Sequence, residues 1–565
     1  MPSINALPGG QSAPAGARGG GENSRISRAA QVLGLMTALS RAAGLARDVA
    51  ISAVFGTSAA ADAFFVAFRI PNLMRRVVAE GAASAAFVPV FVESLAREGE
   101  QGAARAAGAV GGASVLLLSL LTAVFMAWAE PLTRLFAPGF SRDPEKLALT
   151  VALTRWTFPY LLLVGTAAWA MGVHHTFRRF ALPALGPVLM NVAIIVAALG
   201  LAPWLEQPAW ALVAGVLAGG SAQVAVQLPS LRRLGIAPAM LLAIGHPAVR
   251  RCGRLMLSVL VGGSVYQLGV MLSTLFASLL PPGTVSYLWY ADRVFEFPLG
   301  VVAVAVGTAA LPSLSAQAAA DRIDAMGETV AHAISLTVAL CLPAAVGLLL
   351  LSDDITALLF QRGSFSAHDS AMTAWALRAS VPGLLGVGLV RVLTSAFFAL
   401  GMARIPVLAG VLALVVDALL SIALMGPAEP GQTWWGAQLL AEISAVLSIA
   451  DLRHAGLSLA TGLAATVNAL LLLVLLRREL PAMQLLPVAR SVLRHLLAAA
   501  AMTVVVLGWK GLAGAWQFPG ALAAGVLGAV AIGSASYLMV AALAGSDEIR
   551  ELLQLRPAAA GVTKT

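Results

Sequence analysis

Long apolar runs recur along this chain, each near the length that crosses ~30 Å of hydrocarbon, and short polar connections separate them. The pattern predicts about fourteen spanning helices, at 30–55, 61–94, 108–130, 149–173, 182–203, 208–229, 252–279, 285–317, 328–351, 371–400, 405–425, 455–476, 490–512 and 519–544. The stretch before them, residues 1–29, is rich in Gly, Ala, Pro and Ser. It reads as a flexible tail rather than a signal peptide, because the first apolar run is long and no small-residue cleavage site follows it. Composition agrees with a polytopic membrane protein: 59% of residues are hydrophobic and 11% charged, where soluble domains are roughly a quarter charged.

The net charge of +9 changes the picture only through its placement. With the N-terminus inside, the cytoplasmic connections collect Arg97, Arg105, Arg178, Arg179, Arg232, Arg233, Arg250, Arg251, Arg254, Arg322, Arg404, Arg477, Arg478, Arg490 and Arg494. The other side receives Arg134, Arg142, Lys146, Arg155, Arg362, Arg453 and Lys510. This is the positive-inside bias. It puts both termini in the cytoplasm and makes the basic charge a topology signal, with no nucleic-acid partner implied. A repeat is also visible: Pro183–Leu189 and Pro406–Leu412 open the fifth and eleventh spans, and the spans that follow end in Leu231-Arg232-Arg233 and Leu476-Arg477-Arg478. Six spans separate the members of each pair, so two parallel six-helix lobes are expected, with a transport path between them. The chain then divides into a tail (1–29), a first lobe (30–235), a second lobe (236–480) with an external insertion near 427–453, two further helices (481–546) and a second tail (547–565). Trp434 and Trp435 place part of the insertion at a membrane interface.

Against this apolar background the segment from Ser40 to Phe87 carries eight charges: Arg41, Arg47, Asp48, Asp62, Arg69, Arg75, Arg76 and Glu80. A charge at the centre of a spanning helix costs about 2.5–3.5 kcal/mol on insertion scales, so these residues must line water or pair with one another. Arg41 and Asp48 fall within about 20° on a helical wheel, with Arg47 about 100° round from Asp48. Pro71 interrupts the second span and leaves the phase of Arg75 against Arg76 open. The eighth span adds Asp292, Arg293 and Glu296, spaced for ion pairs along one helix. One reading has Arg41, Arg47, Arg75 and Arg293 converging on a multivalent anion, for which guanidinium forks suit a diphosphate. The other has internal ion pairs that hold helices together, most directly for Asp48, Asp62 and Glu80. Arg69 and Arg76 can also snorkel to an interface. Asp417, in the eleventh span, is either a coupling-ion ligand or a paired structural acid.

Nothing in the sequence points to an enzyme. It lacks a Walker loop, a nucleophile elbow, an H-E-x-x-H motif and a long cytoplasmic loop for a sugar nucleotide. Cys252 and Cys341 read as buried apolar residues. His174 and His175 read as a loop edge, and no metal set is spaced correctly. A drug exporter would favour an acidic, aromatic cavity, and a scaffold has no need for buried charge.

The segments SRAAGLARD, ADAFFVAFRIPNLMRRVVAEGAASAAFVPVF, FRRFALPALGPVLMN and YADRVFEFPLGVVAVAVGTAALPSLS resemble the MurJ (MviN) family of lipid II flippases, within the multidrug/oligosaccharidyl-lipid/polysaccharide exporter superfamily. The resemblance runs from about Ser40 to near Arg478. It implies fourteen helices, two six-helix lobes around a central cavity, and a groove for a polyprenyl tail formed by the last two helices. The implied activity is transfer of undecaprenyl-diphosphate-MurNAc(pentapeptide)-GlcNAc from the cytoplasmic to the periplasmic leaflet of the bacterial inner membrane. No cofactor is implied; the energy would come from the membrane potential or a monovalent cation. The implied partners are lipid II, membrane lipids and other proteins of cell-wall synthesis. The family's functional arginines fall on Arg41, Arg47, Arg75 and Arg293, with acids at Asp48 and Asp62, which favours Arg75 over Arg76. The runner-up is a flippase for another polyprenyl-diphosphate oligosaccharide. Two departures stand out. The family's sodium-binding members use acids of the seventh and eleventh spans, whereas this chain has Asp417 but no acid in 255–280, and the connection 428–453 is longer than usual.

The charge bias yields a topology test. A fluorescent-protein fusion at the C-terminus should be bright and an alkaline-phosphatase fusion there inactive, and fusions within 131–148 should report the reverse.

Overall fold

The computed structural model describes residues 18–75, 84–177, 179–233, 243–429 and 431–552. They form α1 (Arg18–Phe55), α2 (Ala59–Met74), α3 (Ser84–Ala127), α4 (Ala129–Phe136), α5 (Pro144–Thr157), α6 (Pro159–Thr176), α7 (Ala181–Ala184), α8 (Gly186–Val196), α9 (Ala209–Arg232) and α10 (Pro247–Ser278). The second half forms α11 (Thr284–Ala319), α12 (Ile323–Phe360), α13 (Ala367–Ser380), α14 (Gly383–Ala399), α15 (Arg404–Leu424), α16 (Trp435–Leu447), α17 (Arg453–Glu479), α18 (Leu485–Ala513), α19 (Ala521–Leu543) and α20 (Asp547–Leu552). Among the described residues nine helices are long and apolar enough to cross a membrane, or ten when the bent pair α13–α14 is one span. Helices also stand at the remaining expected positions, as α1, α2, α10 and α11.

The breaks follow local chemistry. Ser58 caps α2 by accepting from Ala61 N at 3.3 Å. Ser366 and Asp369 form a reciprocal capping box at the start of α13. Gly99, at φ 69°, interrupts α3 where the sequence places the connection between the second and third spans. Pro382 stands at the 47° bend between α13 and α14, where a proline ring cannot continue the preceding helix. One expectation needs correction. His174 and His175 are not a loop edge: they lie in the last turn of α6, with His174 fully buried and its Nε2 3.3 Å from Gln227 O. The insertion near 427–453 includes ordered structure. It contains α16, and its flanks tie it down: Thr433 Oγ1 donates to Ser141 O at 2.8 Å and Glu429 N to Leu279 O at 2.9 Å.

The helices pack as two lobes. In the first, α2 lies on α5, α3 and α9 on α6, and α8 on α9. In the second, α14 and α15 lie on α17, while α11 packs on α12, α13 and α14. The pair α18–α19 attaches to the second lobe through α12. Tyr537 Oη, buried in α19, donates to Ala339 O at 2.9 Å and lies 2.7 Å from His495 Nδ1. Beside this contact, α20 brings Glu548 against His495 and Ser491 of α18. Burial pushes the Glu548 carboxyl up, but hydrogen bonds with His495, its own backbone, Ser491 and Ser546 outweigh burial and hold it well below the usual range. Cys252 and Cys341 are buried free thiols, as the sequence suggests.

Interlobe contact concentrates at two ends. At one end, called here the Gly283 end, a single apolar core runs across both lobes, including Ile51, Phe64, Phe65 and Tyr160 of the first and Trp289, Tyr290, Phe360 and Phe365 of the second. At the opposite end, Phe87, Val90 and Phe91 of α3 pack with Ala248 and Cys252 of α10, and Glu93 pairs with Arg251.

Small residues let spans approach where no hydrophobic force drives helix pairing in lipid. A side chain on Gly383 would collide with the Gly462 backbone. Gly462→Leu should therefore destabilise the α14–α17 contact by about 1–3 kcal/mol, the usual penalty of overpacking. The check is a lowered unfolding midpoint of the detergent-solubilised protein, with a smaller drop for Gly462→Ala.

Candidate functional site

The Gly283 end is built around Asp62. Its carboxylate is 1% exposed. Oδ2 accepts from Lys146 Nζ at 2.7 Å and from Gly283 N at 2.8 Å, and Oδ1 accepts from Ser286 N at 3.0 Å and Ser286 Oγ at 2.6 Å. Gly283, the N-cap of α11, brings no side chain of its own to the helix end. Asp62 of the first lobe thus performs the capping role for a helix of the second, satisfying amides at an end where the helix dipole favours negative charge. Further bonds cross at the same end. Thr57 Oγ1 donates to Asp369 Oδ1 at 2.6 Å, Tyr290 Oη to Gly56 O at 3.3 Å and Ser364 N to Ala53 O at 2.8 Å.

Deeper along α11 lies the charged layer. Arg47 and Asp48, both buried, form a two-pronged pair: Nε and Nη2 donate to Asp48 Oδ1 at 3.0 and 2.8 Å, and Nη2 to Oδ2 at 3.0 Å. Arg47 Nη1 also donates to Asn191 Oδ1 at 3.1 Å, and Asn191 Nδ2 donates to Ser40 O at 3.3 Å. Arg293 pairs with Glu296 at 3.2 Å, the i,i+3 pair expected from the spacing. Arg69 Nη1 donates to Thr274 Oγ1 at 2.5 Å. Arg41 is exposed, and its guanidinium lies against Gly300 on α11, where an added methyl would overlap it. Arg41 of the first lobe thus reaches a helix of the second, and a charge exposed within a spanning helix is costly unless it faces water.

The structure therefore brings Arg293 and the Arg47–Asp48 pair to one side chain, Trp289, with Glu296 beside Arg293 and Arg41 against α11. Arg75 follows α2 and its Nε donates to Asn72 Oδ1 at 2.9 Å. Asp48 takes Arg47, not the wheel partner Arg41, because Arg41 reaches across to α11. Asp62 follows the internal ion-pair reading, with Lys146 as its cation at the Gly283 end. Asp417 is buried and accepts from Thr461 Oγ1 at 3.0 Å, away from the arginines. Glu80 lies outside the described residues, as does Arg76. Reading the sequence missed Lys146, counted there only as a topology charge, and also Asn191, Ser286 and Trp289. A polar side chain inside an apolar run was the available signal for Asn191; Lys146 offered none, since its partner is 84 positions away.

Among the described residues no three His, Cys, Asp or Glu side chains gather as a metal site. Among the described residues, two lobes of helices that meet around buried cations have the build of a two-lobed membrane transporter. Residues 51–527 match the profile of the family described as lipid II flippase MurJ. The chain is 36% identical over 459 residues to the lipid II flippase MurJ of Burkholderia cenocepacia, covering 80% of this chain and 84% of that one. It is 33% identical over 538 residues to a probable lipid II flippase MurJ of Rhizobium tropici, covering 93% and 96%. The chain belongs to the MurJ lipid II flippase family. Its fold is similar to a solved lipid II flippase MurJ in an inward closed conformation (TM-score 0.71, 22% identity, 92% of this chain and 99% of that one). It is also similar to an inward-facing multidrug resistance MATE family transporter of the MOP superfamily (TM-score 0.62, 14% identity, 79% and 95%).

Removing one partner of a buried ion pair leaves the other charge without compensation. Lys146→Met should therefore cost about 3 kcal/mol, the low end for such breaks because Asp62 keeps its bonds to α11. The same substitution in an Asp62→Asn background should cost much less. Unfolding midpoints of the four proteins in this double-mutant cycle measure the difference.

Proposed function

We propose that the protein carries lipid II, undecaprenyl-diphosphate-MurNAc(pentapeptide)-GlcNAc, from the cytoplasmic to the periplasmic leaflet of the bacterial inner membrane. The observation that carries this reading is the layer of guanidinium groups, Arg47 and Arg293 with Arg41 beside them, at the seam between two lobes of a MurJ-family chain. A diphosphate entering that layer offers each guanidinium two oxygens in a plane, and the exchange of Asp48 and Glu296 for phosphate offsets the headgroup's loss of water. Arg75 is assigned to the same anion by family resemblance.

The lobes, 30–235 and 236–480, rock about the seam by alternating access, and 481–546 form a groove for the polyprenyl tail. With both termini cytoplasmic, the Gly283 end faces the periplasm. Asp62, Lys146 and Ser286 are then the outer gate, and release of the headgroup requires water to replace Lys146 and the α11 amides around Asp62. Glu80 and Asp292 complete the set of cavity acids that re-pair as the lobes close. The driving force is the membrane potential or a monovalent cation, with Asp417 and Thr461 the residues placed to answer a cation.

Complementation of a flippase-depleted bacterium tests the proposal, with surface-exposed lipid II quantified. Wild type should restore it, and Arg41→Ala and Arg293→Ala should lose it at equal membrane levels. Rescue by both variants would reduce these arginines to structural pairs. Failure of well-expressed wild type would point to a different polyprenyl-diphosphate oligosaccharide.

A further inference from the structure

The charged groups of both lobes meet on one neutral side chain, Trp289 of α11, which is 5% exposed. Phe65 of α2 stacks on the indole with centroids 4.6 Å and planes 17° apart. The guanidinium carbons of Arg69 and Arg293 lie over the ring, 5.3 and 5.0 Å from its centroid. Its Nε1 donates to Asp48 Oδ1 at 3.5 Å, the oxygen that also receives Arg47 Nε and Nη2. One ring therefore touches an arginine from each lobe and the carboxylate that orients a third.

An aliphatic side chain of similar bulk would fill the same space but leave two guanidinium groups against hydrocarbon. The indole face attracts cations without adding charge, most strongly where water is excluded. It can therefore keep Arg293 in place after an incoming anion has displaced the Glu296 carboxylate.

We propose that Trp289 is a positioning residue for diphosphate recognition: it sets where Arg293 stands and, through Asp48, how Arg47 is turned before substrate arrives. This rests on the reading that the arginine layer receives a polyprenyl diphosphate.

The test uses the purified full-length protein in nanodiscs, with undecaprenyl diphosphate and undecaprenyl monophosphate as probes and affinity measured for each. Wild type should prefer the diphosphate. Trp289→Leu should reduce that preference roughly tenfold, the equivalent of losing a desolvated cation–π contact, while Trp289→Phe, which keeps an aromatic face, retains most of it. If Trp289→Leu is not recovered as a folded protein, Trp289→Phe and Trp289→Tyr carry the test, with a roughly two- to threefold loss expected for Phe from its weaker cation attraction at an unchanged unfolding midpoint. Preference in Trp289→Leu equal to wild type, or for the aromatic pair no loss at all, would overturn the positioning role and leave the arginine layer intact. Absence of any preference in wild type would overturn that layer's reading and this proposal together.

Discussion

The Asp62 carboxylate is shut away from water inside a membrane protein, and groups of both lobes compensate its charge. Lys146 supplies the opposite charge and the first turn of α11 supplies amide hydrogens. Separating the lobes removes the amides at once, and only water can take their place. A half-opened end would leave the charge with neither, which is the expensive condition for any buried ion. The chemistry of one carboxylate therefore favours two states, closed on α11 or open to solvent, over the continuum between them.

The residues of α11 that meet the first lobe share this logic along one stripe. Gly283, Ser286, Trp289 and Gly300 are separated by three, three and eleven positions, the spacing of one helix face. Asp62 holds its beginning, Asp48 and Arg69 hold its middle, and Arg41 lies at its inner part. A rotation or slide of this helix cannot release the end while leaving the arginine layer untouched, because rigid helical backbone connects them. Coupling between the arginine layer and the Gly283 end is then a property of one element with partners along its length.

Much of this was legible beforehand. Apolar period and length placed the helices, because lipid requires backbone groups to be satisfied within each span. Charges inside such spans marked the hairpin and the eighth span, since nothing else explains their cost. Partners were less legible. A helical wheel set Asp48 beside Arg41, but Arg47 can bend onto its neighbour and Arg41 can extend to another helix, and long flexible side chains make both possible. Lys146 looked like a loop charge until α5 brought it beneath α2. The stretch 427–453, which read as a connection with an interfacial segment, became α16 with anchors on Ser141 and Leu279, contacts that no local pattern announces.

Sequence alone determined that this chain spans the membrane many times as helices, that charges gather in its first hairpin and eighth span, and that arginines outnumber the acids in that hairpin. Those are consequences of transfer free energies, which act residue by residue and leave their mark on local composition. Only the tertiary structure decided that Asp62 caps a helix of the opposite lobe, that Asn191 steadies Arg47, and that two arginines share the face of Trp289. Each depends on groups far apart in the chain meeting within a few ångströms, and distance in space is settled by packing, not by periodicity.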